Sequence, residues 1–316
     1  YEESPEEAKE HFGDEPFELK NILKYWVRTK NKDLHVIPTD TVYVTIDKEA
    51  VRKSGMLMAS DSIPDRMVIS LKGKGALYKG DLMMLEMIDK CNWTRPIYVA
   101  TTVGADNYMN LGDNFVQEGL ANRITPFTTN TGGKSIDGVK DFDTEKTYDN
   151  VMNKYKFGGI DKPGIYLDET VMRMCYTHRR IFAQLGLQLV REGKADKAQK
   201  LLEKVEKEIP ASNVPHVYQS GSLDLANGYA ATGQAGKAQE LIDQLWKKSS
   251  QYMQWYCSLD NVRFASSQRD CMINLYIMNQ LLNLQDDVDP KKSELKEKQL
   301  QALSELYYSK GGSFEE

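Results

Sequence analysis

An internal repeat in the second half of the chain is the feature that most constrains its fold. The segment GKADKAQKLLEKV begins at Gly193, and the similar segment GQAGKAQELIDQL begins 40 residues later at Gly233. Each segment places its apolar residues on one face of a helix, and a helix pair of this kind cannot bury that face alone. The repeat therefore predicts stacked helical hairpins.

Small residues near the first copy indicate how these hairpins would pack. Gly186 follows Leu185, Ala198 lies inside the first copy, and Pro210 ends it. These offsets resemble tetratricopeptide (TPR) repeats, which are helix pairs of ~34 residues whose stacks form a concave binding surface. We expect Gly186 and Ala198 to let the two helices approach closely. A plain antiparallel helical bundle is the alternative interpretation.

The first half of the chain has a mixed pattern. The run TVYVTID, Thr41 to Asp47, alternates apolar and polar side chains and predicts a half-buried strand. RMVISLKGKGALYKG predicts a strand, a Gly-Lys-Gly turn and a short return strand. DLMMLEMIDKC predicts a helix that begins near Asp81, and RPIYVATTV predicts another strand. SPEE, at Ser4 to Glu7, has the form of a helix capping box.

The pattern from Asp168 onward predicts helices. Val171, Cys175, His178 and Phe182 recur at spacings of three and four, so we expect them on a buried helix face, with Asp168 as a capping residue. The predicted fold class is therefore α+β. It consists of an N-terminal mixed α/β domain at residues 1–165 and a C-terminal all-α, TPR-like helical-hairpin domain at residues 166–316.

Composition argues against several classes of protein. The formal net charge of −5 argues against a nucleic-acid partner. No apolar run approaches the ~18 residues of a spanning helix, so we expect no direct membrane insertion by this chain. The four cysteines form no CxxC pair, and no cofactor or metal is expected. A disulfide between Cys257 and Cys271 is left open. TNTGGKS, at Thr129 to Ser135, lacks the first glycine of a phosphate-binding loop.

No residue is predicted to be catalytic, and five side chains are candidates for binding. Glu118 and Arg123 lie in the polar segment GDNFVQEGLANRITP, where a simple ion pair between them is the alternative interpretation. His216, Tyr218 and Gln219 lie in the polar insertion between the two repeat copies. A loop at the face of a helical repeat can contact a ligand, so these three residues are the candidates in the second half.

Four segments carry a resemblance to a known family. In chain order they are TVYVTIDKEAV, ALYKGDLMMLEMI, RPIYVATTVGADNYMNLGDNFVQEGLANRITP and GIYLDETVMRMCYTHRRIFAQLGLQLVREGKADKA. Together they resemble the C-terminal soluble region of a bacterial family of multispanning proteins of unknown function. The membrane part of that family is similar to protein O-mannosyltransferases. The resemblance implies an extracytoplasmic, periplasmic domain tethered to the inner membrane by upstream segments, which fits a chain that starts at Tyr1.

Three hypotheses for the function follow. The first is a non-catalytic module that binds or positions a protein or peptide acceptor for O-glycosylation. Its partners would be that acceptor polypeptide and the membrane part of the same chain, and the family's catalytic acid would lie in that membrane part. The second is a free-standing carbohydrate-active or hydrolytic enzyme, with Asp113, Glu118, Arg123 and His216 in a site between the two halves. The third is a purely structural or dimerisation module.

Overall fold

The computed structural model of the chain describes residues 12–30, 35–56, 62–128 and 141–313. The fold class is α+β, as the sequence predicts. The chain forms two compact units, Tyr1–Thr147 and Tyr148–Glu316, while the predicted domain boundary between residues 165 and 166 stays a prediction. The SPEE and TNTGGKS segments lie outside the described residues.

The first unit contains a two-stranded antiparallel sheet. Strand β1 (Thr41–Thr45) pairs with β2 (Arg66–Ser70), with Tyr43 opposite Val68. The predicted strand TVYVTID is confirmed, and Val42 and Val44 point into the core. The return strand predicted after the Gly-Lys-Gly turn is wrong. The chain leaves that turn to begin the next helix, and β2 pairs instead with β1, a strand that lies earlier in the sequence.

A second sheet holds the remaining strands of the first unit. Its strands are β3 (Tyr98–Ala100), β4 (Phe115–Gln117), β5 (Ala121–Ile124) and β6 (Asp141–Phe142), in the order β3-β5-β4-β6. Strands β3, β5 and β4 are antiparallel, and β6 runs parallel to β4. The turn between the two central strands, β4 and β5, therefore places residues 118–120 at one end of these strands.

The first unit also contains α1 (Leu19–Asn21), which continues as a π-helical segment at Ile22–Val27, α2 (Lys48–Lys53) and α3 (Lys79–Cys91). Helix α4 (Thr144–Asp149) begins in the first unit and ends just past its last residue, Thr147. A hydrophobic core joins both sheets with α1, α2 and α3, with Trp26, Met67, Ile88 and Phe115 among its buried members.

The second unit consists of helical hairpins. Its helices are α5 (Glu169–Arg191), α6 (Ala195–Glu208), α7 (Ser222–Ala231), α8 (Ala235–Ser258), α9 (Asn261–Val288) and α10 (Ser293–Ser309). Among the described residues, none of these or the other helices is long and apolar enough to cross a membrane. Cys257 and Cys271 are buried free thiols, and burial raises the pKa of Cys271 to about 12.

The close approach of the first hairpin is confirmed at its glycine. A Cβ atom added to Gly186 of α5 would lie 3.3 Å from Leu202 Cδ2 of α6, and one added to Gly228 of α7 would lie 3.1 Å from Leu202 Cδ1. Ala198, one turn before Leu202, is fully buried. Because Gly186 and Gly228 have no side chain, helices α5, α6 and α7 can pack closely around Leu202. The assignment of this hairpin to the TPR class stays a prediction.

Asp168 caps helix α5, as the sequence predicts. Its carboxylate Oδ1 accepts a hydrogen bond from the Val171 N–H at 2.9 Å. The expected burial of Val171 is wrong, because this first turn extends past the core and the Val171 side chain is 38% exposed.

Replacing Asp168 with alanine is expected to lower the free energy of unfolding by about 1 kcal/mol, because one N–H of the first turn loses its acceptor. Urea unfolding of the 316-residue chain would measure this loss. Asp168→Asn is the control, since asparagine caps helices as well as aspartate. An alanine variant as stable as the asparagine variant would contradict the capping role.

Candidate functional site

Glu118 and Arg123 meet at the turn between β4 and β5. Gly119 has a φ of 102°, which glycine adopts readily, and the Glu118 N–H donates to the Ala121 carbonyl at 2.9 Å. This tight turn brings Arg123 Nη1 within 3.3 Å of Glu118 Oε1, and each side chain is only 4% exposed. The pair therefore forms the buried ion pair that was one interpretation of the sequence.

Two further groups bind the other oxygen of Glu118. The Tyr98 hydroxyl of β3 donates to Oε2 at 2.5 Å, and Lys146 of α4 forms an ion pair with the same oxygen. Burial by itself would raise the pKa of Glu118. The hydrogen bonds from Lys146 and Tyr98 and the charges of Lys146 and Arg123 outweigh burial, so the pKa lies below its ordinary value. Glu118 is therefore an anion at neutral pH.

This cluster connects four segments of the first unit. Arg123 Nη2 also donates to the Ser54 carbonyl, just after α2, at 3.2 Å. The cluster thus holds together the β4–β5 turn, β3, α4 and the end of α2. The enzyme hypothesis places Asp113 in one site with Glu118 and Arg123. The side chain of Asp113 is exposed, on the turn before β4.

A buried arginine organises the loop between α6 and α7 in the second unit. Arg179 of α5 is 0% exposed. Its guanidinium donates to five neutral acceptors, which are the carbonyls of Ile209, Val214, Pro215 and Ser220 and the hydroxyl of Ser222. The shortest of these bonds, to Val214, is 2.6 Å long. Arg179 therefore fixes a loop that contains little regular structure of its own.

His216 lies in this loop beside Arg179. Its Nδ1 is 2.6 Å from the Ser222 hydroxyl, which in turn is 2.6 Å from the Ser220 hydroxyl. Burial, with the charge of Arg179 as a second cause, lowers the pKa of His216 to about 4. Burial also lowers the pKa of Arg179, to about 10. At neutral pH the histidine is thus uncharged and the arginine is a cation.

An open cleft of about 270 Å³ lies between α6, α7 and α8, with Arg179 and His216 among its lining residues. Lys237 of α8 pairs with Glu206 of α6 across 2.6 Å, and the Lys237 amine lies 5.3 Å from the centre of the Tyr229 ring. Burial raises the pKa of Tyr229, and Glu206 raises it further. We call this feature the polar cleft. The other lining residues include apolar side chains, such as Ala211, Leu225 and Leu241, and the polar side chains of Glu240 and Gln244.

Tyr218 and Gln219 lie on a different surface of the same unit. The Tyr218 hydroxyl donates to Asp270 Oδ1 at 2.9 Å and accepts from Gln219 Nε2 at 2.9 Å. Gln219 lines a second cavity, next to the outer face of α5. The structure therefore assigns His216 to the polar cleft, and Tyr218 and Gln219 to a neighbouring surface. Glu118 and Arg123 belong to the first unit.

Sequence reasoning missed several members of these clusters. Arg179 is four residues after Cys175 and three before Phe182, so a charged residue occupies the spacing of an apolar helix face. The position of Arg179 on this apolar face could have predicted a buried, hydrogen-bonded cation. Tyr98, Lys146 and Lys237 gave no such signal. Within the described ranges, no group of three or more His, Cys, Asp or Glu side chains is placed to hold a metal ion.

Comparison with known proteins bears on the first unit. Residues 5–146 match the family model of a domain that accompanies a membrane-protein family. That model is described as TMEM260-associated domain 2, so most of the mixed α/β unit is similar to a domain of TMEM260-like membrane proteins. None of the curated proteins and none of the solved structures matches the chain.

Proposed function

We propose that this chain is a non-catalytic, extracytoplasmic module of a glycosyltransferase-like membrane protein, and that its helical unit binds an acceptor polypeptide for O-glycosylation. The similarity of residues 5–146 to TMEM260-associated domain 2 supports the link to a membrane protein. The resemblance of the four sequence segments to the soluble region of O-mannosyltransferase-like proteins supports the glycosyltransferase link. A bacterial source and a periplasmic location, tethered to the inner membrane, belong to the same proposal.

The observation that carries the binding role is the polar cleft. An extended polypeptide presents donors, acceptors, charges and apolar side chains in alternation, and the cleft offers partners for each of them. Lys237, Glu206 and Gln244 supply polar groups beside apolar side chains such as Leu225 and Leu241. Its volume lies below the roughly 300–1,000 Å³ of typical small-molecule sites, so it suits one or two side chains of a longer ligand.

A fixed cleft also favours binding over loose surface contact. The Arg179 hydrogen bonds hold one wall, the loop from Ile209 to Ser220, before any ligand arrives. A preorganised site spends less free energy on ordering its own side chains when the ligand binds.

The charge states of Glu118 and His216 argue against a role for either residue as a general acid at neutral pH. A general acid at neutral pH needs a raised carboxyl pKa, and the pKa of Glu118 is lowered. His216 is neutral and hydrogen-bonded to Ser222, and burial keeps its pKa far below neutrality. The enzyme hypothesis therefore receives no support from the ionisation of either residue.

Blocking the polar cleft is expected to weaken polypeptide binding at least about tenfold, because a bulky ring would exclude the ligand side chains. The variant is Gln244→Trp, at an exposed position of α8 that lines the cleft. Fluorescence anisotropy of a labelled, chemically unfolded secreted polypeptide would measure its affinity for the 316-residue chain.

The matched control for this experiment is Gln254→Trp. Gln254 is also an exposed glutamine of α8, and it does not line the cleft. We expect the control to bind as the unmodified chain does. Equal affinities for both variants, or no binding by the unmodified chain, would contradict the proposed function.

A further inference from the structure

A cavity in the first unit lies between the start of α1, the end of β1 and the end of α3. Its volume is about 320 Å³, within the roughly 300–1,000 Å³ of typical small-molecule sites. Val44, Ile46 and Ile88 form a buried, apolar part of its lining. We call this feature the α1–α3 cavity. The polar groups beside that apolar part decide what kind of ligand it can hold.

Two carboxylates of the lining are buried, and each uses only one of its oxygens. The side chain of Glu18 is 8% exposed, and its Oε2 lies 3.1 Å from Lys20 Nζ. The side chain of Asp89 is 10% exposed, and its Oδ2 lies 2.8 Å from Lys90 Nζ. Within the described ranges, neither Glu18 Oε1 nor Asp89 Oδ1 receives a hydrogen bond. A carboxylate has about four acceptor positions, so both side chains have acceptor capacity to spare.

Trp93, a further lining residue, adds a buried donor. It is only 2% exposed, and its indole Nε1–H has no acceptor among the residues that the structure describes. Asn92 and Trp93 have φ angles of 42° and 58°, in the left-handed region that a bulky side chain rarely adopts. Strained backbone of this kind is common where a chain clamps a ligand. The lining of the α1–α3 cavity thus combines unused acceptors with an unused donor.

These unused groups select one class of ligand. An ammonium or guanidinium group only donates and would leave the Trp93 indole without an acceptor, and Glu18 already has Lys20 as its cation. A phosphate or carboxylate only accepts, so it offers nothing to Glu18 and Asp89. A peptide group has a single donor for two carboxylate oxygens. Hydroxyl groups both donate and accept, and a ring that carries several of them also has C–H groups to pack on the apolar part of the lining.

We propose that the α1–α3 cavity binds one monosaccharide unit. Two sugar hydroxyls donate to Glu18 Oε1 and Asp89 Oδ1, and a hydroxyl oxygen accepts from the Trp93 indole. The same chemistry occurs in a free sugar and in a sugar attached to a polypeptide. This site lies in the first unit and does not rest on the proposed function, in which the helical unit binds polypeptide.

A ligand-observed NMR titration of the 316-residue chain with the methyl glycosides of glucose, galactose and mannose tests the proposal. The double variant Glu18→Gln/Asp89→Asn is expected to raise the Kd of the tightest glycoside at least about tenfold, because two charge-assisted hydrogen bonds become neutral ones. The matched control, Glu49→Gln/Asp65→Asn, makes the same changes at exposed side chains that do not line the cavity. We expect the control to bind as the unmodified chain does.

A blocking variant keeps the test decisive if the double variant fails to fold. Thr45 is an exposed residue of the cavity lining, so Thr45→Trp places a large ring at the entrance without altering the buried carboxylates. Binding of the glycoside is expected to fall below detection in this variant. Circular dichroism would establish that the variant is folded.

A peptide with one O-linked copy of the tightest sugar, compared with the same peptide without the sugar, identifies the source of the ligand. Tighter binding of the glycosylated peptide than of the methyl glycoside supports a sugar carried by a polypeptide, and equal binding supports a free sugar. No binding of any glycoside, or binding that both the double variant and Thr45→Trp leave unchanged, overturns the proposal. Equal binding of the two peptides overturns it as well.

Discussion

Replacing Arg179 with methionine is expected to destabilise the helical unit by about 3 kcal/mol or more. Methionine keeps most of the apolar stem but removes every donor. The carbonyls of Ile209 and Val214 and the other acceptors would then lie buried without partners, and each unsatisfied group costs roughly 1–3 kcal/mol, reduced where the loop relaxes toward water. Urea unfolding, followed by circular dichroism, would measure the change.

Two controls separate this role from general effects of charge. Arg191→Met removes an exposed arginine of the same helix and should change stability by no more than about 0.5 kcal/mol. Arg179→Lys keeps the positive charge but lacks the planar fork that reaches several acceptors, so its loss should be intermediate. An Arg179→Met variant as stable as Arg191→Met would show that the loop does not depend on this side chain.

The second large loss of stability is expected when the ion pair between Glu118 and Arg123 is broken. Glu118→Gln keeps the size of the side chain but leaves Arg123, whose side chain is only 4% exposed, without this counter-ion. Removing one partner of a buried pair typically costs about 3–5 kcal/mol. The double variant Glu118→Gln/Arg123→Met should recover much of this loss, because it no longer buries an unpaired charge. A double variant less stable than Glu118→Gln would contradict this account.

The same carboxylate predicts a pH dependence of stability. The pKa of Glu118 is lower in the folded chain than its ordinary value of 4.5, so the unfolded chain binds the proton more tightly. The stabilisation is therefore complete above that ordinary value and is lost as the pH falls through the folded pKa. Acid unfolding curves of the unmodified chain should contain this component, and curves of Glu118→Gln should lack it.

The helices of the second unit were largely predictable because helix periodicity and caps are local. The repeat copies that begin at Gly193 and Gly233 predict helical hairpins, and helices α6 (Ala195–Glu208) and α8 (Ala235–Ser258) each begin two residues after one of these glycines. Sheet pairing was not predictable to the same degree. Strand β2 pairs with β1, which ends at Thr45, and the local Gly-Lys-Gly turn gave a misleading hairpin signal.

The candidate site residues were likewise predictable only where a local sequence signal pointed to them. His216 was found because it lies in an insertion that interrupts the repeat, and the Glu118–Arg123 pair because the two residues are five apart. Arg179 was missed as an organising residue since its acceptors lie 30 to 43 residues further along the chain. Likewise, Tyr98 reaches Glu118 across 20 residues, a contact that no local pattern reveals.

Hydrogen exchange tests the central claim, that the helical unit binds polypeptide in the polar cleft, most directly. Amide exchange of the 316-residue chain would be compared with and without a saturating unfolded secreted polypeptide. The account predicts slower exchange at the end of α6, in the Ile209–Gly221 loop and at the start of α8, and no such slowing in the Gln244→Trp variant. Slower exchange confined to the first unit, or no change at all, would contradict it.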